Sequence, residues 1–178
     1  LATSAEARAR RKEVLQSALS INSVTAAVKT SDRWLELAKK DAEQMSSERD
    51  GQEKADLLAT MGLSDKDTVP PALRSELKRL EDAQKRRNTR SERDGLDRVL
   101  VDLLALYRDV LSVQLSASVD LVNEDLADQI REVAVQTKPA DSIHKLEAIE
   151  QARARIARNV RDQLVLDSLA VSLQIRKV

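Results

Sequence analysis

His144 carries the only imidazole in the chain. Alone in the first turn of an expected helix, it reads as an exposed or capping residue, because a general base needs a partner that orients and tunes it. Asp125 with Asp128, and Glu147 with Glu150, stand one helical turn apart. Di-metal helical bundles combine such carboxylates with a His three residues further on, and neither pair has one. Both pairs therefore read as solvated helix faces. The chain contains no Cys, no HExxH and no GxxxxGK, and its three glycines are isolated, so thiol, zinc-protease and phosphate-loop chemistry all lack their residues. No catalytic residue, metal ligand or cofactor is expected.

Basic clusters are the remaining candidates. Arg8, Arg10, Arg11 and Lys12 sit beside Glu6 and Glu13 and read as a solvated face rather than a docking patch. The segment KRLEDAQKRRNTRSER, residues 78 to 93, is richer: Lys78, Arg79, Lys85, Arg86, Arg87, Arg90 and Arg93 outnumber Glu81, Asp82 and Glu92. Phosphate contacts need such side chains, but base stacking needs aromatic ones and none is interleaved. If this segment binds nucleic acid, Arg86, Arg87 and Arg90 are the expected phosphate contacts. Trp34 and Tyr107 lie on apolar faces at helical spacing, as core residues do.

The composition leaves little besides helix. Only 1% of residues are aromatic, Phe is absent, and Gly and Pro number three each, whereas strands draw on aromatic and β-branched residues and turns on Gly and Pro. The 178 residues fit one domain with a sizeable core, and 30 basic against 30 acidic side chains give no general attraction to nucleic acid or an anionic membrane. No apolar run approaches the roughly 20 residues that span a bilayer. A soluble, cytoplasmic protein without a membrane partner is expected. The chain opens on Leu1 and enters a helical pattern at once, which reads as a piece of something longer.

The central element is Asp94 to Leu115. On a helix, Arg98, Asp102, Ala105, Asp109 and Ser112 form one narrow polar stripe, and Leu96, Val99, Leu100, Leu103, Leu104, Leu106, Tyr107, Val110, Leu111 and Leu115 cover the rest. That pattern predicts a helix enclosed on most sides. Before it, Thr3 or Ser4 is expected to cap a first helix. SINS at residues 20 to 23 reads as a turn and cap, and Val24, Val28, Ser31, Leu35, Ala38, Ala42 and Met45 form a near-heptad seam. GLSDKDTVPP, residues 62 to 71, is the strongest break: Gly62 suits a left-handed helix end, Ser64 and Asp65 a turn, and Pro71 a new first turn. Two long helices joined there predict a protruding antiparallel hairpin, residues 24 to 93. Its register puts Glu48, Asp50, Glu53 and Asp56 near Lys78, Arg79, Lys85, Arg86, Arg87 and Arg90. Gly95 inside the second helix costs up to about 1 kcal/mol relative to Ala and allows a bend.

After a polar break at 116 to 121, Asn123 is expected to cap a helix that Lys138 and Pro139 stop. Asp141 or Ser142 starts the next, and Asn159, with Asp162 three residues on, caps the last. That last helix is apolar on more than one side, so Leu166, Leu169 and Leu173, with Leu103 and Tyr107 on the flank of the central helix, are the expected subunit interface.

The stretches RSERDGLDRVLVDLLALYRDVLSVQLSAS, LVNEDLADQIREVA and HKLEAIEQARARIARNVRDQLVLDSLAVSL resemble the C-terminal collar domain of bacterial DNA polymerase III clamp-loader delta-prime subunits, of the actinobacterial type. The features that carry the resemblance are LYRDVL at residues 106 to 111, the LEAIEQAR helix, and Asn159. It implies a single collar or oligomerisation domain over residues 1 to 178, preceded in the parent by an ATPase-like module and a lid. It also implies a non-catalytic role within a five-subunit ring that loads the sliding clamp during DNA replication. The implied partners are gamma/tau and delta type subunits through the collar, with clamp and DNA reached only through the N-terminal part; gamma/tau collars are similar. The charged excursion from about Ser46 to Arg93 departs from the short connection of such collars. A nucleic-acid-binding helical arm, or a coiled-coil adaptor, is the competing expectation.

Overall fold

A computed structural model describes residues 2–63, 68, 70–71 and 73–175, with the side chains of residues 2–4 and of Met45 excepted. Among them are six α-helices and no strand: α1 Ala2–Leu19, α2 Val24–Thr60, α3 Arg74–Gln114, α4 Ala127–Gln136, α5 Pro139–Ala157 and α6 Asp162–Ser172. A 3-10 turn at Glu124–Leu126 leads into α4. The expected all-α bundle is what the chain forms. It divides into two compact units, one of Leu1–Leu37 with Leu96–Val178 and one of Ala38–Gly95, and α2 and α3 contribute to both.

In the first unit the core gathers from all six helices. Val14, Leu15 and Ala18 of α1, Trp34 of α2, Leu96, Leu100, Leu103, Leu106, Tyr107 and Val110 of α3, Ile130 of α4, Ile149 and Ile156 of α5, and Leu166 and Leu169 of α6 are all buried. Trp34 keeps its one polar atom satisfied there, donating from Nε1 to Ser17 Oγ at 3.0 Å. The expected seam on α2 is rotated, since Val24 and Val28 are exposed while Ala27, Ser31, Trp34, Ala38 and Ala42 are buried.

The second unit pairs the later half of α2 with the earlier half of α3 in opposite directions. Ala38 lies 3.4 Å from where a Cβ on Gly95 would stand, and Arg87 Nη2 donates to Asp50 Oδ1 at 2.8 Å and to Glu53 Oε2 at 2.5 Å. Gln84 Nε2 adds a bond to the Asp50 carbonyl at 2.9 Å. These pairs fall in the register expected from the charge pattern. Gly95 is buried, and α3 runs through it as one continuous helix that packs against Ala38 of α2.

Three helices end in the same way, and only one uses glycine. Gly62 has φ 72°, and Leu63 N–H returns to the Leu58 carbonyl, as expected for a left-handed end. Ser116 has φ 52°, with Ala117 N–H on the Ser112 carbonyl. Asn159 has φ 61°, with Val160 N–H on the Arg155 carbonyl at 3.1 Å and Asn159 N–H on that of Ile156 at 3.0 Å. Asn159 therefore terminates α5 rather than capping α6, which starts at Asp162 behind Arg161. The reason is that Asn is the non-Gly residue most at ease with positive φ.

Helix starts also moved. Ser23 caps α2 as expected, accepting Ala26 N–H at 3.1 Å. α1 already begins at Ala2, ahead of Thr3 and Ser4, whose side chains lie outside the described residues. α5 begins two residues before Asp141, at Pro139, because Pro fits the first helical position and Asp141 reaches back to accept Lys138 N–H at 3.0 Å. The expected turn at Ser64 and Asp65 lies outside the described residues.

Candidate functional site

The polar stripe of α3 is an attachment line within the first unit. Asp109 is fully buried, and its carboxylate accepts three N–H groups: Val122 N–H at 3.2 Å, and both Asn123 N–H and Asn123 Nδ2 at 2.8 Å. Asn123 Oδ1 in turn accepts from Arg11 Nη2, whose Nε donates to Asp102 at 2.9 Å. The side chain of Asn123 is thus held inside and makes no cap bond to the helix that follows, contrary to expectation. Arg11, read in sequence as part of a solvated cluster, fastens α1 to the stripe. Further along α3, Gln114 donates to the Thr137 carbonyl and hydroxyl at 3.0 and 2.9 Å and accepts from Ser142 at 2.8 Å, tying the ends of α3 and α4 to the start of α5.

Residues expected at a subunit interface are in the interior. Leu103, Tyr107 and Leu166 are 0% exposed, Leu169 2% and Leu173 0%. The apolar surplus of α6 is taken up by the chain itself, because α6 packs on α5 and on α2, where Ser31 Oγ donates to Asp167 at 2.5 Å and Gln163 to Asp32 at 2.8 Å. A partner could reach those five side chains only by opening the unit. What α6 leaves outside is Leu164, 61% exposed, and Val171, 38% exposed, seven residues apart on one helical face; α2 exposes Val24 and Val28. Exposure in three dimensions, not hydropathy along the helix, separates these two sets.

The three arginines expected on phosphate have different surroundings. Arg87 is committed to Asp50 and Glu53, which raise its pKa further above the ordinary guanidinium value. Arg86 and Arg90 are exposed and make no hydrogen bond or ion pair among the described residues. Glu53 shows the reciprocal effect: the bond from Arg87, helped by Gln84 and Arg49, pulls its carboxyl down to about 2 against the opposing pull of desolvation.

Candidate chemistry elsewhere is thin. His144 is exposed at the start of α5, Glu150 faces Arg153, and Asp128 bonds Arg131 on its own helix at 3.0 Å. Among the described residues no group of three or more His, Cys, Asp or Glu is placed to hold a metal ion, and no helix is long and apolar enough to cross a membrane.

Comparison with known proteins gives one line of similarity. Over 72 residues, 40% of this chain, the sequence is 33% identical to DNA polymerase III subunit delta' of Bacillus subtilis (strain 168), and the match spans 22% of that protein. No family model matches the chain, and no solved structure matches it. Part of this helical chain is thus similar to part of a DNA polymerase III subunit.

Proposed function

We propose that this chain is a non-catalytic assembly domain of a bacterial clamp loader, of the collar type found at the C-terminus of delta-prime subunits. The observation that carries the reading is the stretch of similarity to DNA polymerase III subunit delta'. The all-helical unit around α3 agrees with it. In this reading the domain holds its subunit in a ring of gamma/tau and delta type partners in the cytoplasm, and the clamp and DNA are handled by other parts of the parent.

The contact is assigned to the exposed apolar edge of α6 and α2, and not to the buried Leu103, Tyr107, Leu166, Leu169 and Leu173. The test is co-purification of the chain with clamp-loader subunits, comparing wild type with Leu164→Glu and Val171→Glu. Both positions are exposed, so the variants should fold while assembly weakens at least tenfold. Assembly unchanged in both would reject this surface, and failure of the wild type to associate with any clamp-loader subunit would reject the reading.

Arg86 and Arg90, exposed and without an ion pair among the described residues, favour a second reading, a helical arm that contacts nucleic-acid phosphates. Binding that falls steeply with salt, and an Arg86→Ala/Arg90→Ala variant with a salt slope smaller by roughly two, would support it.

A further inference from the structure

The first unit holds a small cleft that shares Val171, and no other lining residue, with the surface assigned to assembly. It lies between the start of α5 and the end of α6, has a volume of about 160 Å3, and is lined by Thr137, Asp141, His144, Lys145, Val171, Ser172 and Gln174. Sites that enclose whole cofactors run to about 300–1,000 Å3, so this one admits a small molecule or the reacting end of a larger one. The unusual residue in its wall is Lys145, only 5% exposed. Its ammonium makes no hydrogen bond or ion pair among the described residues, and its Nζ stands 5.1 Å from the centroid of the Tyr107 ring.

A buried lysine without an anionic partner is costly, because the ammonium has left water and received only a ring face in exchange. The charged and titratable groups around it are few. Asp141 and His144 come from its own helix, Tyr107 comes from α3, and the lining residues after α4 and from the end of α6 onward are uncharged. Desolvation outweighs the attraction of Asp141 and pulls the amine down to about 8. The Tyr107 hydroxyl, buried with no hydrogen-bond partner, is pushed up by the same desolvation and stays protonated. The cleft therefore combines an amine short of solvation with a route for small reagents to reach it.

We propose that Lys145 is an acylation site, its amine taking the acyl group from a small acyl phosphate that enters this cleft. The nitrogen lone pair attacks the acyl carbon and a C–N bond forms. The C–O bond to phosphate breaks, phosphate leaves with the electron pair, and the proton lost by nitrogen passes to Asp141 or to water. No oxidation or reduction is involved. The product is a neutral amide over the Tyr107 ring, which removes the unpaired buried charge and fills the cleft beside α6.

The experiment treats the full chain with acetyl phosphate between pH 7 and 10 and follows each lysine by peptide mass spectrometry, with exposed Lys138 as internal reference. A lysine titrating near 8 is roughly 20% free amine at pH 7.5 against about 0.1% for an ordinary one, so Lys145 should acylate at least about tenfold faster than Lys138. Its rate should level off above about pH 9, once the amine that titrates near 8 is fully deprotonated. Ser172→Leu, which narrows the cleft from an exposed position, should slow Lys145 and leave Lys138 unchanged, with circular dichroism confirming the fold. Acylation of Lys145 no faster than Lys138, or a rate still climbing at pH 10, overturns the proposal from the wild-type chain alone. An unchanged Lys145 rate in a folded Ser172→Leu variant overturns the cleft as its route.

Discussion

Glu53 is the acid whose surroundings in the second unit have the clearest consequence for pH. Its carboxyl, bonded by Arg87 and Gln84, titrates near 2 in the folded chain against roughly 4.3 in an unfolded one. Between those values the unfolded state binds more protons. The contribution of Glu53 is therefore complete above about pH 4.5 and disappears as pH falls through about 2. Urea unfolding at several pH values should show a smaller acid loss of stability in Glu53→Gln than in wild type across that window. Asp109 belongs to the same scale. It is fully buried with three N–H donors on its carboxylate, so Asp109→Ala leaves those donors without a partner and should lower stability by about 2–4 kcal/mol, read from the urea midpoint. The conservative Asp109→Asn keeps one acceptor oxygen and should lose less.

Among elements, the long helices α2 and α3 meet at Gly95 and Ala38, where there is room for one added carbon. A Cβ on Gly95 would lie 3.4 Å from both the Cβ and the carbonyl oxygen of Ala38, at ordinary contact. Gly95→Ala should therefore fit and stabilise α3 by about 0.5–1 kcal/mol through the helical preference of Ala. Gly95→Leu has no such room and should cost about 1–3 kcal/mol, as overpacking does, in a thermal or urea melt. At the helix ends, three left-handed terminators at Gly62, Ser116 and Asn159 stop α2, α3 and α5. Their similar hydrogen bonding explains why chain breaks of quite different composition close in one manner.

For the whole molecule, the buried apolar residues are unevenly shared. Among the described residues the buried hydrophobic side chains of the second unit are Ala38, Ala42 and Leu58, whereas the first unit buries Trp34, Tyr107 and a dense set of Leu, Ile and Val. Local opening free energy follows such packing. Native-state hydrogen exchange should therefore find amides of residues 46–60 and 74–90 exchanging faster than those of residues 99–110. Protection equal in all three segments would mean that the second unit is as firmly packed as the first. The ion pairs of the second unit are partly exposed and worth about 0.2–1 kcal/mol each, too little to offset the thin core.

Local chemistry alone determined the helical class, the dominance of Leu96 to Val110, the Ser23 cap, the left-handed end at Gly62, and the opposite charges that pair Arg87 with Asp50 and Glu53. Each depends on residue type, spacing or a neighbour in a nearby register, and all of these are written along the chain. Tertiary structure decided what depends on which surfaces meet. It placed Leu103, Tyr107, Leu166, Leu169 and Leu173 inside and left Leu164 and Val171 out, although hydropathy does not distinguish them. It turned Arg11 and Asn123 into internal fasteners of α3, and it set Lys145 over a tyrosine. Burial and pairing are properties of two or more elements at once, so a one-dimensional pattern shows that a face is apolar or charged without showing what covers it.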